Sequence, residues 1–282
     1  MLLGSSVGYA ANSTRPLNTS SVNGMVVSTH PLYLIAKAVS QGIEQPVLLL
    51  APGQSGHDIQ LRPADRQRLK QASLVLWFGE QYEAPLSRVL KGQPNAIALF
   101  DLRVFKRLPL RNAQGQPIAN SLDPHIWLEP INAIAIAHAI AAVRARQFPI
   151  HAAQYKANAN QFGQRLLQAT RQQQQSIGLY WAYHDAYQYL ERSLNLQFKG
   201  SLTIEHDLPP TLSQLAWLQQ QRRNYSSGTA VCLLAEGQVE PATLKRLQPV
   251  KVRLIDETML GAQDFVIGWT KLAQAVRQCT KR

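Results

Sequence analysis

Apolar residues in this chain fall into short continuous runs, and these alternate with segments whose apolar positions recur three and four apart. Met25 to Thr29, Pro46 to Leu50, Leu74 to Phe78 and Ala96 to Phe100 read as buried strands, with helices between them over 31–40, 63–71 and 84–90. The alternation returns further on, with strands over 179–183, 196–202, 229–235 and 250–255 and helices over 185–193, 210–223, 241–247 and 264–279. Strands that are apolar along their whole length and joined by helices argue for parallel sheets covered on both faces. Between the two halves lie a proline-containing surface loop over 103–121, an alanine-rich helix over 131–147, and a long helical segment over 150–176. In that segment Tyr155, Phe162, Leu166 and Ala169 are spaced by seven, four and three. At about 1.5 Å per residue it would run about 40 Å, enough to join two lobes.

The predicted fold is therefore α/β: two lobes with mainly parallel sheets joined by one long helix, and a cleft between them. The divisions are 1–23, a residual signal or disordered segment rich in Ser, Thr and Asn; 24–148, an N-terminal lobe; 149–177, the linking helix; and 178–282, a C-terminal lobe.

Composition refines this picture. Of 282 residues, 45% are hydrophobic and 16% charged, which allows two ordinary cores and a sparsely charged surface. The net charge of +12 raises polyanions as partners. Basic residues group only locally, at Arg62 to Lys70 and Arg103 to Arg111, with no aromatic interleaving, so no nucleic-acid partner is expected. The two cysteines, Cys232 and Cys279, have no metal-finger spacing, and an oxidising compartment would allow them to pair. Met1 to Ala11 resembles the end of an export signal, with a small-residue cleavage site near Ala10 but no basic start, as if shortened or mis-started. No run is long enough to span a bilayer.

Candidate chemistry centres on Asp123-Pro124-His125-Ile126-Trp127-Leu128-Glu129-Pro130. Pro124 holds Asp123 out of the helical region and Pro130 can open a helix, which leaves His125 on a short extended segment at an element end. His57, His184 and Asp256 each follow a predicted strand, where open α/β sheets place their ligands. Three imidazoles and one carboxylate form an N3O set suited to tetrahedral Zn²⁺, with manganese or another divalent metal as alternatives. Asp58, Asp123 and Asp185 could accept the second ring N–H of the neighbouring histidines, or could cap helices. His138 and His151 fall on helices, His30 precedes a proline, and His206 is the competing ligand candidate. A zinc hydrolase with Glu129 or Glu80 as base is a rival reading, although no His-Glu-x-x-His helix occurs. A basic polyanion-binding module is another.

These motifs have an order that resembles a known family. Gly53-x-x-x-His57-Asp58-x-x-x-Arg62-Pro63-x-Asp65, the strand Leu74 to Gly79, the stretch Asp123 to Pro130, His184-Asp185-Ala186-Tyr187-x-Tyr189, and Ala235-Glu236 with the later Asp256 follow one another as in metal-binding receptors of ABC importers. The chain is similar to the zinc-uptake receptor (ZnuA) family over roughly 25–279. That resemblance implies a rigid linking helix, a metal site in the inter-lobe cleft, and ligands at His57, His125 and His184, with Asp256 or water as the fourth. It also implies a disulfide between Cys232 and Cys279, a periplasmic location, and a monomer that delivers its metal to an ABC-type permease and catalyses nothing. The histidine at the third ligand position resembles zinc receptors rather than manganese receptors. Two departures stand out: Gly56 replaces an acidic residue found in some relatives, and 103–121 lacks the histidine-rich character common there.

Overall fold

The computed structural model describes residues 24–50, 56, 59–174, 176–204, 208–223, 225 and 230–281. The expectations for 1–23, His57, Asp58 and His206 lie outside the described residues. In chain order the first half holds β1 (Met25–Val27), α1 (His30–Val39), β2 (Val47–Leu48), α2 (Pro63–Gln71), β3 (Leu74–Trp77), α3 (Ala84–Leu90), β4 (Ala96–Ala98) and α4 (Pro130–Gln147). After α5 (Ala152–Gln172) come β5 (Gly178–His184), α6 (Glu191–Leu194), β6 (Leu196–Thr203), α7 (Leu212–Arg222), β7 (Val231–Ala235), α8 (Pro241–Leu247), β8 (Val250–Leu254) and α9 (Phe265–Thr280). The strands form two four-stranded sheets, ordered β2-β1-β3-β4 and β6-β5-β7-β8, and every pairing is parallel.

Alternation along each strand sorts side chains between two layers. Met25 and Val27 of β1 and Leu74 and Leu76 of β3 face inward, whereas Val26, Val75 and Trp77 join an outer cluster with Leu69 and Leu86. In the second sheet Tyr180, Ala182, Cys232 and Leu234 face inward, and Trp181, Val231 and Leu233 pack outward with Leu215 and Leu218. The two inward faces belong to one continuous apolar cluster that runs through α1, α4, α5 and α9. Composition allows two ordinary cores, but the inner faces share one, and each lobe keeps only its outer layer to itself. A large rotation of one lobe against the other would expose part of the shared cluster, at about 25 cal/mol per Å² of apolar surface.

The linking helix α5 buries Tyr155, Ala159, Phe162, Leu166 and Ala169 along one stripe, packing on α1 and α4 and also on α9. With 21 residues it runs about 31 Å, shorter than its apolar spacing suggested. Pro149 opens a separate 3-10 turn, and beyond Ala169 the glutamine-rich end presents no further apolar position to the stripe. Arg277 of α9 closes that end by donating to the Gln172 carbonyl at 3.2 Å.

Residues 103–121 form the expected loop, but it is held as a strap across the second lobe rather than free in solvent. The Ala113 carbonyl accepts from Ser201 N at 3.1 Å, and the Leu108 N–H donates to the Tyr189 hydroxyl at 3.0 Å. Arg111 is nearly buried, with its guanidinium 4.1 Å from the Phe198 ring centre and paired with Asp185 and Glu191. A disulfide between Cys232 and Cys279 ties β7 to α9.

Candidate metal centre

Pro124 and Pro130 bracket a single 3-10 turn, Ile126–Leu128, whose three side chains are fully buried. Trp127 anchors it, with ring centres 4.8 Å from Phe78, 5.1 Å from Tyr82 and 5.4 Å from His125. The turn fixes His125 just before it. Asp123 secures the imidazole: its Oδ1 accepts from the His125 backbone N–H at 3.0 Å and from Nδ1 at 2.7 Å. Nδ1 thereby carries a proton in the neutral and the charged ring alike, and Nε2 faces Glu257.

His184 is the last residue of β5, so the strand itself aims its ring. The His125 and His184 ring centres lie 5.7 Å apart. Glu257, in the loop after β8, completes the group, with Oε1 3.4 Å from His125 Nε2. One ligand atom from each of His125, His184 and Glu257 lies within 4.8 Å of the others, and all three residues are buried. Two imidazole nitrogens and a carboxylate oxygen at this separation can close on one divalent cation such as zinc.

Several sequence expectations change here. Asp256 does not enter the group: its carboxylate accepts from Thr258 N at 3.0 Å, Thr258 Oγ1 at 2.6 Å and Leu260 N at 2.7 Å, which turns it outward as the cap of a tight loop. The neighbouring Glu257 faces inward instead. The signal was present in Asp256-x-Thr258, a spacing suited to a local side-chain turn. Asp185 does not hold His184, because both its oxygens accept from Arg111, each at 2.7 Å. Glu236, immediately after β7, takes that place, with Oε1 2.8 Å from His184 Nδ1. The strand-end position of Ala235-Glu236 was the available clue. His138 is exposed, and His30 bridges the lobes by donating from Nδ1 to the Thr258 carbonyl at 3.1 Å. Glu129 faces Lys106 at 3.8 Å and Glu80 faces Lys91 at 3.7 Å, so neither stands in the group as a base.

Gly56 has a steric reason. A Cβ built on it would lie 2.3 Å from Tyr82 Cε1, and the Tyr82 ring stands edge-on to His125 with centres 6.2 Å apart. An acidic side chain at position 56 would require Tyr82 to move.

Electrostatics follow from crowding charges out of water. Burial opposes charge on His125, but the carboxylates of Glu257 and Asp123 outweigh it and hold the imidazole well above its ordinary value. Burial and the nearby Glu236 push Glu257 up, while the two histidines pull it down. A bound cation would relieve both tensions, displacing the His125 proton and neutralising the carboxylates.

Two parallel-sheet lobes around a buried His-His-Glu group define a metal-binding protein of the two-lobed α/β class. Comparison with known proteins narrows this. A family model described as "ZnuA: Zinc-uptake complex component A periplasmic" matches residues 25–263. The high-affinity zinc uptake system protein ZnuA of Yersinia pestis is 31% identical over 258 residues, covering 81% of this chain and 80% of that protein. Its namesake from Brucella abortus is 27% identical over 268 residues, covering 79% of each. Among solved structures, the laminin-binding adhesin Lmb from Streptococcus agalactiae, in a mutant form, superposes with a TM-score of 0.76 at 22% identity, over 92% of this chain and all of that one. The chain belongs to the ZnuA family.

Proposed function

We propose that this protein is the periplasmic receptor of an ABC-type importer, capturing Zn²⁺ between its lobes and delivering it as a single chain to an inner-membrane permease. The observation that carries the reading is the convergence of His125, His184 and Glu257 to within 4.8 Å, inside a chain of the ZnuA family. His57 is the fourth donor in this reading. Its neighbour Gly56 packs against Tyr82, whose ring stands edge-on to His125. Glu257 replaces Asp256 as the carboxylate. Three imidazoles and one carboxylate saturate a tetrahedral ion and leave no open position for an activated water, which favours carriage over hydrolysis. Nitrogen donors favour zinc over manganese, whose preference is for oxygen. The shared core limits lobe rotation, so release proceeds through small shifts of the loops that carry the donors. The test is deletion of the gene in its host: growth should fail in chelator-treated medium and return with added zinc but not with added manganese. Unchanged growth in chelator, or rescue by manganese, would contradict the reading.

A further inference from the structure

The loop that carries Glu257 has two sides. Its inner side presents Glu257 to His125, while Trp127 Nε1 donates to the Glu257 carbonyl at 3.0 Å and fixes its depth. Its outer side, through Asp256 and Met259, forms one wall of a cavity of about 340 Å³ between β8 and the first half of α9. That volume lies in the range of ordinary binding pockets. β8 is the edge strand of its sheet, so this flank faces outward.

The cavity wall has a definite chemistry. Arg253 and Lys271 supply two cations, and Leu254, Ile255, Met259 and Leu272 supply apolar surface. Asp256 is the acidic residue of the wall, and its carboxylate oxygens already accept three hydrogen bonds from Thr258 and Leu260. Two large apolar side chains adjacent in sequence to lining residues are exposed, Ile267 at 51% and Leu260 at 37%. Ile267 lies four residues before Lys271 and therefore on the same face of α9. Exposed apolar groups beside two cations suit a partner segment that carries both apolar and acidic side chains.

We propose that this groove docks an extended acidic and apolar segment of the membrane partner, with a carboxylate set between Arg253 and Lys271 and a neighbouring apolar side chain against Ile267, on the Lys271 face of α9. Charge complementarity selects such a segment over a basic one. The seat is lined by Asp256, one residue before Glu257, and by Met259, two residues after it, so occupancy shifts the carboxylate away from His125 and hastens metal release. The membrane partner and the coupling rest on the receptor reading above; the groove's affinity for an acidic, apolar segment is tested apart from it.

The test uses the full chain and a fluorescein-labelled decapeptide alternating leucine and glutamate, with a leucine and lysine counterpart as control, followed by anisotropy at physiological salt. The acidic peptide should bind the wild type, and Arg253→Glu with Lys271→Glu should weaken it at least tenfold. Arg146→Glu with Lys156→Glu, an equal charge change elsewhere, should weaken it less than twofold. Absence of binding, or equal losses in both double variants, would overturn the docking site. Zinc titrations on the same variants should be unchanged, and a wild type that binds peptide but no zinc would sink the receptor reading alone. With zinc loaded, saturating peptide should speed transfer to a chelating dye severalfold, and an unchanged rate would overturn the coupling.

Discussion

Glu236 Oε1 lies 2.8 Å from Nδ1 of His184, the strand-end histidine that stands in the group with His125 and Glu257. A carboxylate this close favours a proton on Nδ1, which leaves the Nε2 lone pair for a cation. Glu236→Ala should lower zinc affinity about 10- to 100-fold, with Glu236→Gln intermediate because its amide oxygen can still accept. Competition against a chromophoric chelator measures both. Equal affinity in Glu236→Ala and wild type would remove Glu236 from the site.

Proton release should accompany zinc binding. With Asp123 on Nδ1 and Glu257 facing Nε2, His125 keeps its proton above its ordinary value in the metal-free protein. Zinc must displace that proton, so apparent affinity should climb by about tenfold per pH unit for each proton displaced, up to the raised His125 value and flat above it. Calorimetry at pH 7 in buffers of different ionisation enthalpy should register the released proton, and Asp123→Asn should reduce it. A buffer-independent heat in the wild type would contradict this account.

The metal-free fold should also respond to pH through Glu83. Its Oε2 accepts from the backbone N–H groups of Phe78 at 2.6 Å and Gly79 at 3.3 Å, but complete burial outweighs these bonds and pushes the carboxyl from 4.5 up to about 7. Between those values the folded protein holds a proton that the unfolded chain has released, so this contribution to stability falls as pH rises through the window, by about 3 kcal/mol in total. Glu83→Gln should flatten that slope in urea denaturation at pH 5 and pH 8. An unaltered slope would place the proton elsewhere.

Much of this architecture is legible in the alternation of single strands. Met25 and Val27 against Val26, or Cys232 and Leu234 against Leu233, already divide inner from outer layers, because side chains on a strand must point to opposite faces. His125 is legible for a similar local reason, being trapped between two prolines. What escaped depends on partners distant in sequence. Whether Asp256 or Glu257 faces inward is decided by Trp127 and His30 gripping the loop from the other lobe. Asp185 serves Arg111, 74 residues earlier, and nothing local to either residue reveals that pairing. The strap over 103–121 carries polar and proline residues typical of a solvated loop; its docking runs through the guanidinium that Phe198 and two carboxylates bury and through backbone bonds to Ser201 and Tyr189.

The most direct measurement is a calorimetric zinc titration of chelator-stripped wild type beside His125→Ala, Glu257→Gln and Asp256→Asn. One tight zinc per chain is predicted for the wild type. His125→Ala and Glu257→Gln should each lose at least about 100-fold in affinity, more than loss of an outer hydrogen-bond partner costs, and Asp256→Asn should lose far less because it acts only through the loop. Absence of a stoichiometric site in the wild type would contradict the central claim. So would a profile in which Asp256→Asn abolishes binding and Glu257→Gln leaves it intact.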